Sequence, residues 1–311
     1  MGINFNESAN DWFNTKKNTI KAGSLSCYYT ILFKGLIPYF ENKEINNKTI
    51  QEYVLHCTHV KMYSNKTVKD HLKILKYVLR DVLHKNEFDV EYPTILEMRK
   101  TDSKAFSVSD IKKIRQYTVD NLDNPHCLAI LFGLSLGLRI GEVTGLKFSD
   151  IDFNNKTVSI NRTSQRIQVF SDENSNVPKT KINVGSPKTK ASKRKLPVSD
   201  LLLDAINYHS KYRDADDFIF RPKYKDAKEP LDTRVLREAF RRILNTLNIQ
   251  QLPFHSLRHS FASNCISSDV DVKTTSAMLG HSDVKITLEV YTHPSIEQKK
   301  DAITKFSKLF N

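Results

Sequence analysis

The sequence predicts a mainly helical protein of the α+β class, with a small antiparallel sheet and two domains. Three observations lead to this prediction. The chain has 311 residues, which is long for one hydrophobic core and sufficient for two. Apolar residues recur at helical spacings over most of the chain. The alternation that is typical of strands is confined to a short region near the middle.

The first predicted domain covers residues 1–92 and is helical. Helices are expected over 9–23, 24–40 and 66–84, and the last of them carries apolar residues at spacings of three and four. Its other face carries a basic row: Lys66, Lys69, Lys73, Lys76 and Arg80. A solvated face is the ordinary interpretation of such a row, but its excess of positive charge favours contact with phosphate.

A linker is predicted over 93–105, where the chain has a proline, alternating charge and no clear period. The second domain is predicted over 106–311. Ser107 begins an S-x-x-D pattern that predicts a capped helix over 108–119. The strongly apolar stretch 126–138 predicts a buried helix.

The middle of the second domain contains the strand signals. Alternating Val, Ile and Thr residues predict a strand over 157–169, and the polar stretch 171–186 predicts an extended loop. Residues 190–198 predict a short strand that leaves a basic turn. A helix is expected over 232–248. It carries four arginines that are candidates for contact with phosphate: Arg234, Arg237, Arg241 and Arg242. A solvated basic face is an equally good interpretation of each of them.

Charge and cysteine content narrow the function classes. A net charge of +13 and a pI of about 9.4 indicate a polyanionic partner, most often nucleic acid. An anionic membrane surface is the competing partner, but no stretch is apolar enough to span a membrane and no signal peptide is recognisable. The cysteines form no C-x-x-C pair, so a zinc finger is not expected. We therefore expect a cytoplasmic protein associated with the nucleoid.

Several separate segments carry residues suited to phosphate chemistry. Arg139 follows the apolar helix, and guanidinium is well suited to gripping a phosphate. His255 and Arg258 are three residues apart near a predicted helix start, which is itself an anion-binding position. Zinc binding by His255 and His259 fits less well, because no HExxH glutamate lies between them. Glu142 is expected to cap its local turn.

A second histidine and a tyrosine occur towards the C-terminus. Leu279 and Gly280 predict a helix end, and His281 follows directly. Tyr291 lies beside the apolar stripe of the next helix. A single tyrosine is usually a packing residue, and its phenol becomes a nucleophile only in a cationic pocket.

These segments closely resemble the motifs of the tyrosine recombinases, also called phage-type integrases. The matching motifs are G-L-R-I-G-E-V-x-x-L, P-K-T-K-x-S, H-S-L-R-H-S-F-A and L-G-H-S-D-x-x-x-T-x-x-x-Y-x-H. They occur in the family's order over 106–295, and residues 5–92 are more loosely similar to the family's helical core-binding domain. The resemblance implies the family's two-domain architecture, with a helical DNA-binding domain and a catalytic domain.

The resemblance also implies a role for each matched residue. Tyr291 would attack the scissile phosphate, while Arg139 and Arg258 would hold its non-bridging oxygens. His255 would manage the tyrosine proton, and His281 would hydrogen-bond the phosphate. Lys188 would protonate the leaving 5′ oxygen. Lys190 is a rival for that role, and otherwise a DNA contact.

The family's reaction implies double-stranded DNA with specific core sites as partner, and neither metal nor cofactor. The protein would be a monomer in solution and a tetramer on synapsed DNA, with the tail 295–311 docking on a neighbouring protomer. Because the chain begins close to the core-binding region, a simple recombinase on short core sites is expected. The alternatives are a type IB topoisomerase-like enzyme and a catalytically silent DNA-binding protein of the same fold.

Overall fold

A computed structural model describes most of the chain, which divides into two compact units. The described residues are 5–83, 105–170, 179–187, 189–210, 213–222 and 228–291, with 300, 303–304 and 306–307; the side chains of 82–83, 190, 286 and 289–291 lie outside the description. The first unit comprises Met1–Asp102 and Ile167–Lys181, and the second comprises Ser103–Arg166 and Ile182–Asn311. None of the described helices combines the length and apolar character needed to cross a membrane.

The N-terminal residues of the first unit fold into five α-helices joined by short turns. They are α1 (Phe5–Lys17), α2 (Ala22–Ile31), α3 (Ile37–Phe40), α4 (Asn47–Leu55) and α5 (Asn65–Leu83), with π-helical turns at Leu32–Leu36 and His56–Val60. Asn46 caps α4 by accepting a hydrogen bond from the backbone N–H of Thr49 at 3.0 Å. The helix expected over 9–23 lies earlier than predicted, at Phe5–Lys17. The helix expected over 24–40 is interrupted by the π-helical turn at Leu32–Leu36.

Helix α5 has the two faces that its sequence predicts. Its apolar face is buried in the core of the first unit: Val68, Leu72, Leu75, Val78 and Leu79. The five predicted DNA-contact residues on the other face are all exposed: Lys66, Lys69, Lys73, Lys76 and Arg80. Arg80 also pairs with Asp81 at 2.8 Å. The basic face is therefore accessible to a partner. The helical period places it opposite the buried apolar face.

Two polar contacts join helices within the first unit. The indole of the buried Trp12 donates a hydrogen bond to Asp81 at 3.0 Å, which joins α1 to α5. The Tyr53 hydroxyl and His71 Nδ1 share a hydrogen bond of 2.7 Å between α4 and α5, and both residues are buried. Burial lowers the pKa of His71.

The first unit also includes a segment that is distant in sequence. The Phe170 ring lies 5.2 Å from that of Phe13 and 5.1 Å from that of Tyr29. The backbone N–H of Gln168 donates to the hydroxyl of Ser26 at 2.9 Å. The sequence carried no signal for this packing, because it joins residues more than a hundred positions apart.

The second unit contains eight α-helices among its described residues, and the described strands follow from Ile151 onwards. The helices are α6 (Val108–Asp120), α7 (Pro125–Leu136), α8 (Ile140–Thr144), α9 (Asp200–Ser210), α10 (Thr233–Thr246), α11 (His255–Ser267), α12 (Val272–Leu279) and α13 (Val284–Tyr291). Ser107 caps α6 by accepting from the backbone N–H of Asp110 at 3.1 Å, as the S-x-x-D pattern predicts. Helix α7 is buried over most of its length and packs against α6, α8, α9, α10 and α11, so it forms the centre of this core.

The strands form two small sheets. They are β1 (Ile151–Asp152), β2 (Thr157–Ile160), β3 (Thr163–Gln168), β4 (Thr180–Gly185) and β5 (Arg194–Pro197). Strand β2 pairs antiparallel with β1 and with β5, and Val158 lies opposite Leu196. Strand β3 pairs with β4. The mainly helical fold with a small antiparallel sheet is thereby confirmed.

Two local predictions differ from the structure. The single strand expected over 157–169 is two strands, broken at 161–162, and the two halves join different sheets. The loop expected over 171–186 contains strand β4, in which Thr180, Ile182 and Val184 alternate with other residues; residues 171–178 lie outside the described part. The short strand leaving a basic turn expected over 190–198 is present as a 3₁₀ turn at Lys190–Ser192 followed by β5.

Candidate active site

Arg139 lies at a turn between two helices. Helix α7 ends at Gly137, whose φ of 61° is the left-handed conformation that glycine adopts without strain, and α8 begins directly after Arg139. The backbone N–H of Arg139 donates to Glu142 Oε2 at 3.0 Å, and its Nη1 donates to Glu142 Oε1 at 2.8 Å. Glu142 thus caps α8, as expected. The Arg139 side chain is 37% exposed, so it can still reach a ligand.

Glu142 is shared with a second arginine, Arg194 at the start of β5. Arg194 Nη2 lies 3.0 Å from Glu142 Oε2, and Nη1 lies 3.2 Å from Oε1. The side chains of Glu142 and Arg194 are only 3% and 6% exposed. Burial opposes the ionisation of Glu142, but the hydrogen bonds and charge of Arg194, with the charge of Arg139, hold the pKa of Glu142 below its usual value.

Arg194 is not among the predicted site residues, since it lies in a run of lysines. Strand alternation offered a signal: Arg194 and Leu196 share one face of β5, while Lys193 and Lys195 are exposed. An arginine on the face of a buried leucine is a candidate for a buried ion pair.

Arg258 is buried, with 1% of the residue exposed. Its Nη1 donates to the carbonyl of Gly137 at 2.9 Å, and its Nη2 donates to the carbonyl of Leu279 at 2.7 Å. These carbonyls lie at the C-terminal ends of α7 and α12, where the partial negative charge of a helix favours a cation. Two helix ends therefore hold the guanidinium of Arg258 in place.

His255 is the first residue of α11, one turn before Arg258. Its ring contacts that of His259 edge to face, with centroids 4.7 Å apart. Although His255 is open to solvent on one side, desolvation by the surrounding protein, with the charges of His259, Arg258 and Arg139, lowers the pKa of His255 to about 4. The imidazole of His255 is therefore neutral at pH 7.

His281 directly follows Gly280, which ends α12 with a φ of 67°. Its Nδ1 shares a hydrogen bond of 2.8 Å with the hydroxyl of Thr287, a buried residue of α13. Burial and the nearby charges of Arg258, Arg139 and Arg194 lower the pKa of His281 to about 4. Arg258 hydrogen-bonds the carbonyls of Gly137 and Leu279, each two residues before Arg139 and His281 respectively, and His255 lies one turn before Arg258, so these contacts bring the four residues together.

The side chains of three predicted catalytic or DNA-contact residues lie outside the described part of the structure. Tyr291 is the last residue of α13, and its side chain lies outside the described part. Lys188 lies outside the described residues, and Lys190 begins the 3₁₀ turn before β5 with its side chain outside the description. Most of the tail 295–311 and of the linker 93–105 also lies outside it.

A cleft of about 460 Å³ lies between His255 and the basic face of α10. Its lining includes Ile140, Phe254 and His255 beside Arg237 and Arg241. The predicted contact arginines of α10 are all exposed: Arg234, Arg237, Arg241 and Arg242. Within the part of the chain that the structure describes, no three His, Cys, Asp or Glu residues form a group suited to a metal ion.

Comparison with known proteins identifies a family. The sequence model of the phage integrase family matches residues 104–298. A tyrosine recombinase XerC-like protein of Caldanaerobacter subterraneus subsp. tengcongensis is 30% identical over 227 residues, covering 69% of this chain and 56% of the relative. The transposase from transposon Tn916 of Enterococcus faecalis is 24% identical over 266 residues, covering 79% of this chain and 63% of the relative. The chain thus spans less than two thirds of either relative.

A solved structure has the same fold. The Tn1549 transposon integrase, in complex with circular intermediate DNA, superposes with a TM-score of 0.76 at 18% identity. The match covers 98% of this chain and 100% of that chain, so the likeness extends over both units. At this level of identity, the likeness concerns the fold alone.

Proposed function

The chain belongs to the phage integrase family, and from that membership we propose that it is a site-specific DNA recombinase. It would cleave and rejoin DNA strands through a covalent 3′-phosphotyrosine intermediate formed on Tyr291. The observation that carries the proposal is the hydrogen bonding of Arg258 to the carbonyls of Gly137 and Leu279, which brings Arg139 and His281 towards Arg258, one turn from His255. Two guanidinium groups beside two imidazoles suit a reacting phosphodiester.

The two arginines provide the positive charge that this chemistry requires. A guanidinium donates paired hydrogen bonds to phosphate oxygens and retains its charge at every physiological pH. Arg258 is held by two helix-end carbonyls and Arg139 by Glu142, so little reorganisation is needed when charge develops on the phosphoryl oxygens. Preorganised charge of this kind lowers the barrier to attack on phosphorus.

Proton transfers accompany the two halves of the cleavage step. The Tyr291 oxygen forms a bond to phosphorus, and its proton passes to His255, which is neutral at pH 7 and able to accept it. The bond from phosphorus to the 5′ oxygen breaks, and that oxygen takes a proton from Lys188, with Lys190 as the alternative donor. His281 donates a hydrogen bond to the phosphate. Rejoining reverses these steps, so the phosphotyrosine conserves the bond energy.

Double-stranded DNA is the proposed partner, with the exposed basic faces of α5 and α10 as contact surfaces. These residues would contact phosphates and fix the position of the duplex. The net charge of +13 supports such binding. We propose that the protein is a monomer in solution, forms a tetramer on synapsed core sites with its tail 295–311 docked on the neighbour, and works in the cytoplasm on DNA.

A covalent-adduct assay tests the proposal. A bound duplex is first selected from a random library with the Tyr291→Phe protein. A nicked form of that duplex is then incubated with wild type in EDTA, and a protein–DNA adduct is sought on a denaturing gel. Wild type should form the adduct, and Tyr291→Phe should not. Tyr208→Phe, at an exposed tyrosine of α9, is the matched control and should react like wild type.

Two results would refute this function. One is an adduct that persists in Tyr291→Phe, because the nucleophile would then be another residue. The other is an adduct that forms only when a divalent metal is supplied.

A further inference from the structure

We propose that Arg194 is a positioning residue, which holds both phosphate-binding arginines in register by contacting the element that supports each of them. The inference rests on the proposed recombinase function. Arg194 need not touch DNA for this role. It acts on Arg139 through Glu142, and on Arg258 and His281 through the end of α12.

The first connection runs through Glu142. Arg194 donates two hydrogen bonds to this carboxylate, whose two oxygens also accept the backbone N–H and the Nη1 of Arg139. Glu142 therefore lies between two guanidinium groups. Because Arg194 is buried and Arg139 is partly exposed, Arg194 is the fixed side of this arrangement.

The second connection runs through the last turn of α12. Arg194 Nε donates to the carbonyl of Met278 at 2.6 Å. The next carbonyl along the chain, that of Leu279, accepts from Arg258 Nη2. The following residue, Gly280, approaches Arg194 so closely that an added Cβ would lie 3.0 Å from Nη1. His281 comes next, so one turn of backbone links Arg194 to both Arg258 and His281.

Only arginine has the geometry for all these contacts. Its guanidinium also donates to the carbonyl of Ser192 at 3.0 Å, so a planar group with five N–H donors contacts three separate segments. A lysine has a single ammonium on a flexible stem and cannot reach Glu142 and Met278 from one position. Arg194→Lys should thus keep the positive charge but lose some of the hydrogen bonds that position Glu142 and the end of α12.

Adduct formation separates positioning from simple DNA binding. We expect Arg194→Met to slow adduct formation about 100-fold, because small misplacements of catalytic groups have effects of that order. Arg194→Lys should be intermediate, and both variants should bind the selected duplex with wild-type affinity. The control is Lys195→Met, which removes a positive charge from the next position of β5, where the lysine contacts the partly exposed Asp152 at 3.3 Å. It should react like wild type.

A double variant tests the route through Glu142. If Arg194 acts on Arg139 through Glu142, the loss of adduct rate in the double variant Glu142→Gln, Arg194→Met should be smaller than the product of the two single-variant losses. Strictly additive effects on the rate would overturn this route.

An NMR titration of His281 tests the arrangement independently of activity. The Arg194 charge contributes to the lowered pKa of His281, so Arg194→Met should raise that pKa and Lys195→Met should leave it unchanged. If wild type forms no adduct on any DNA, the recombinase proposal fails, whereas the His281 titration still reports on Arg194. An unchanged pKa of His281, or wild-type adduct rates in Arg194→Met, would refute the positioning role.

Discussion

Replacing Glu142 with glutamine should destabilise the second unit by about 3 kcal/mol, since breaking a buried ion pair costs about 3 to 5 kcal/mol. The substitution keeps the shape of the side chain and removes its charge. Each Glu142 oxygen accepts one hydrogen bond from Arg139 and one from Arg194. Whichever way the new amide turns, its NH₂ group faces guanidinium or backbone N–H donors.

The magnitude follows from the burial of each pair. The pair with Arg194 is almost fully buried, so removing the carboxylate charge leaves a guanidinium without its counter-charge. The pair with Arg139 is partly exposed and contributes only about 1 kcal/mol or less. The expected loss is at the low end of the range of about 3 to 5 kcal/mol, because the glutamine oxygen still accepts two hydrogen bonds.

Urea unfolding followed by far-UV circular dichroism measures the effect. The only tryptophan, Trp12, lies in the first unit, so its fluorescence follows that unit separately. The pKa of Glu142 is lowered, so its ionised form stabilises the fold above the ordinary glutamate pKa, and this stability is lost as the pH falls through the folded pKa. The difference between wild type and Glu142→Gln should therefore be full at pH 7 and shrink in acid.

A matched variant provides the control. Glu238→Gln removes the carboxylate of an exposed pair with Arg241, and it should change stability by less than about 0.5 kcal/mol. A loss below about 1 kcal/mol in Glu142→Gln would mean that the buried Arg194 guanidinium needs no counter-charge, contrary to this prediction.

Three further predictions concern local features. Gly280→Ala should lower stability by about 1 to 2 kcal/mol in thermal unfolding, because alanine is strained at a φ of 67°. Gly185→Ala is the control and should leave stability unchanged, since an added Cβ would lie 3.8 Å from its nearest neighbouring atom. His281 should titrate near pH 4 by NMR, and a midpoint near 6.5 would contradict the burial argument. Because folding lowers the pKa of His281, the unfolded chain binds this proton first, so stability should fall as the pH drops from 6.5 towards 4. Tyr53→Phe should cost about 1 to 3 kcal/mol in tryptophan-detected urea unfolding, because the buried His71 loses its partner; a neutral result would mean that water replaces the hydroxyl.

Much of the fold could be predicted from local sequence patterns. Helix α5 begins within one residue of the predicted start, and its apolar period correctly predicts which face is buried. Capping by Ser107 and the glycine ends of α7 and α12 were also local signals. Strand β4 carries a local signal, the alternation of Thr180, Ile182 and Val184, but its pairing with β3 is a long-range feature that no local pattern shows.

The candidate site divides in the same way. The order of residue types along the chain carries the family resemblance through Arg139, His255, Arg258, His281 and Tyr291. How these residues are supported depends on contacts between distant segments. The carbonyls that hold Arg258 come from two helix ends, 121 and 21 positions away, and the partner of Glu142 comes from a strand 52 positions away. Strand alternation marks Arg194 as a candidate for a buried ion pair, but hydrogen bonds depend on distance in space, so the local pattern does not identify its partners.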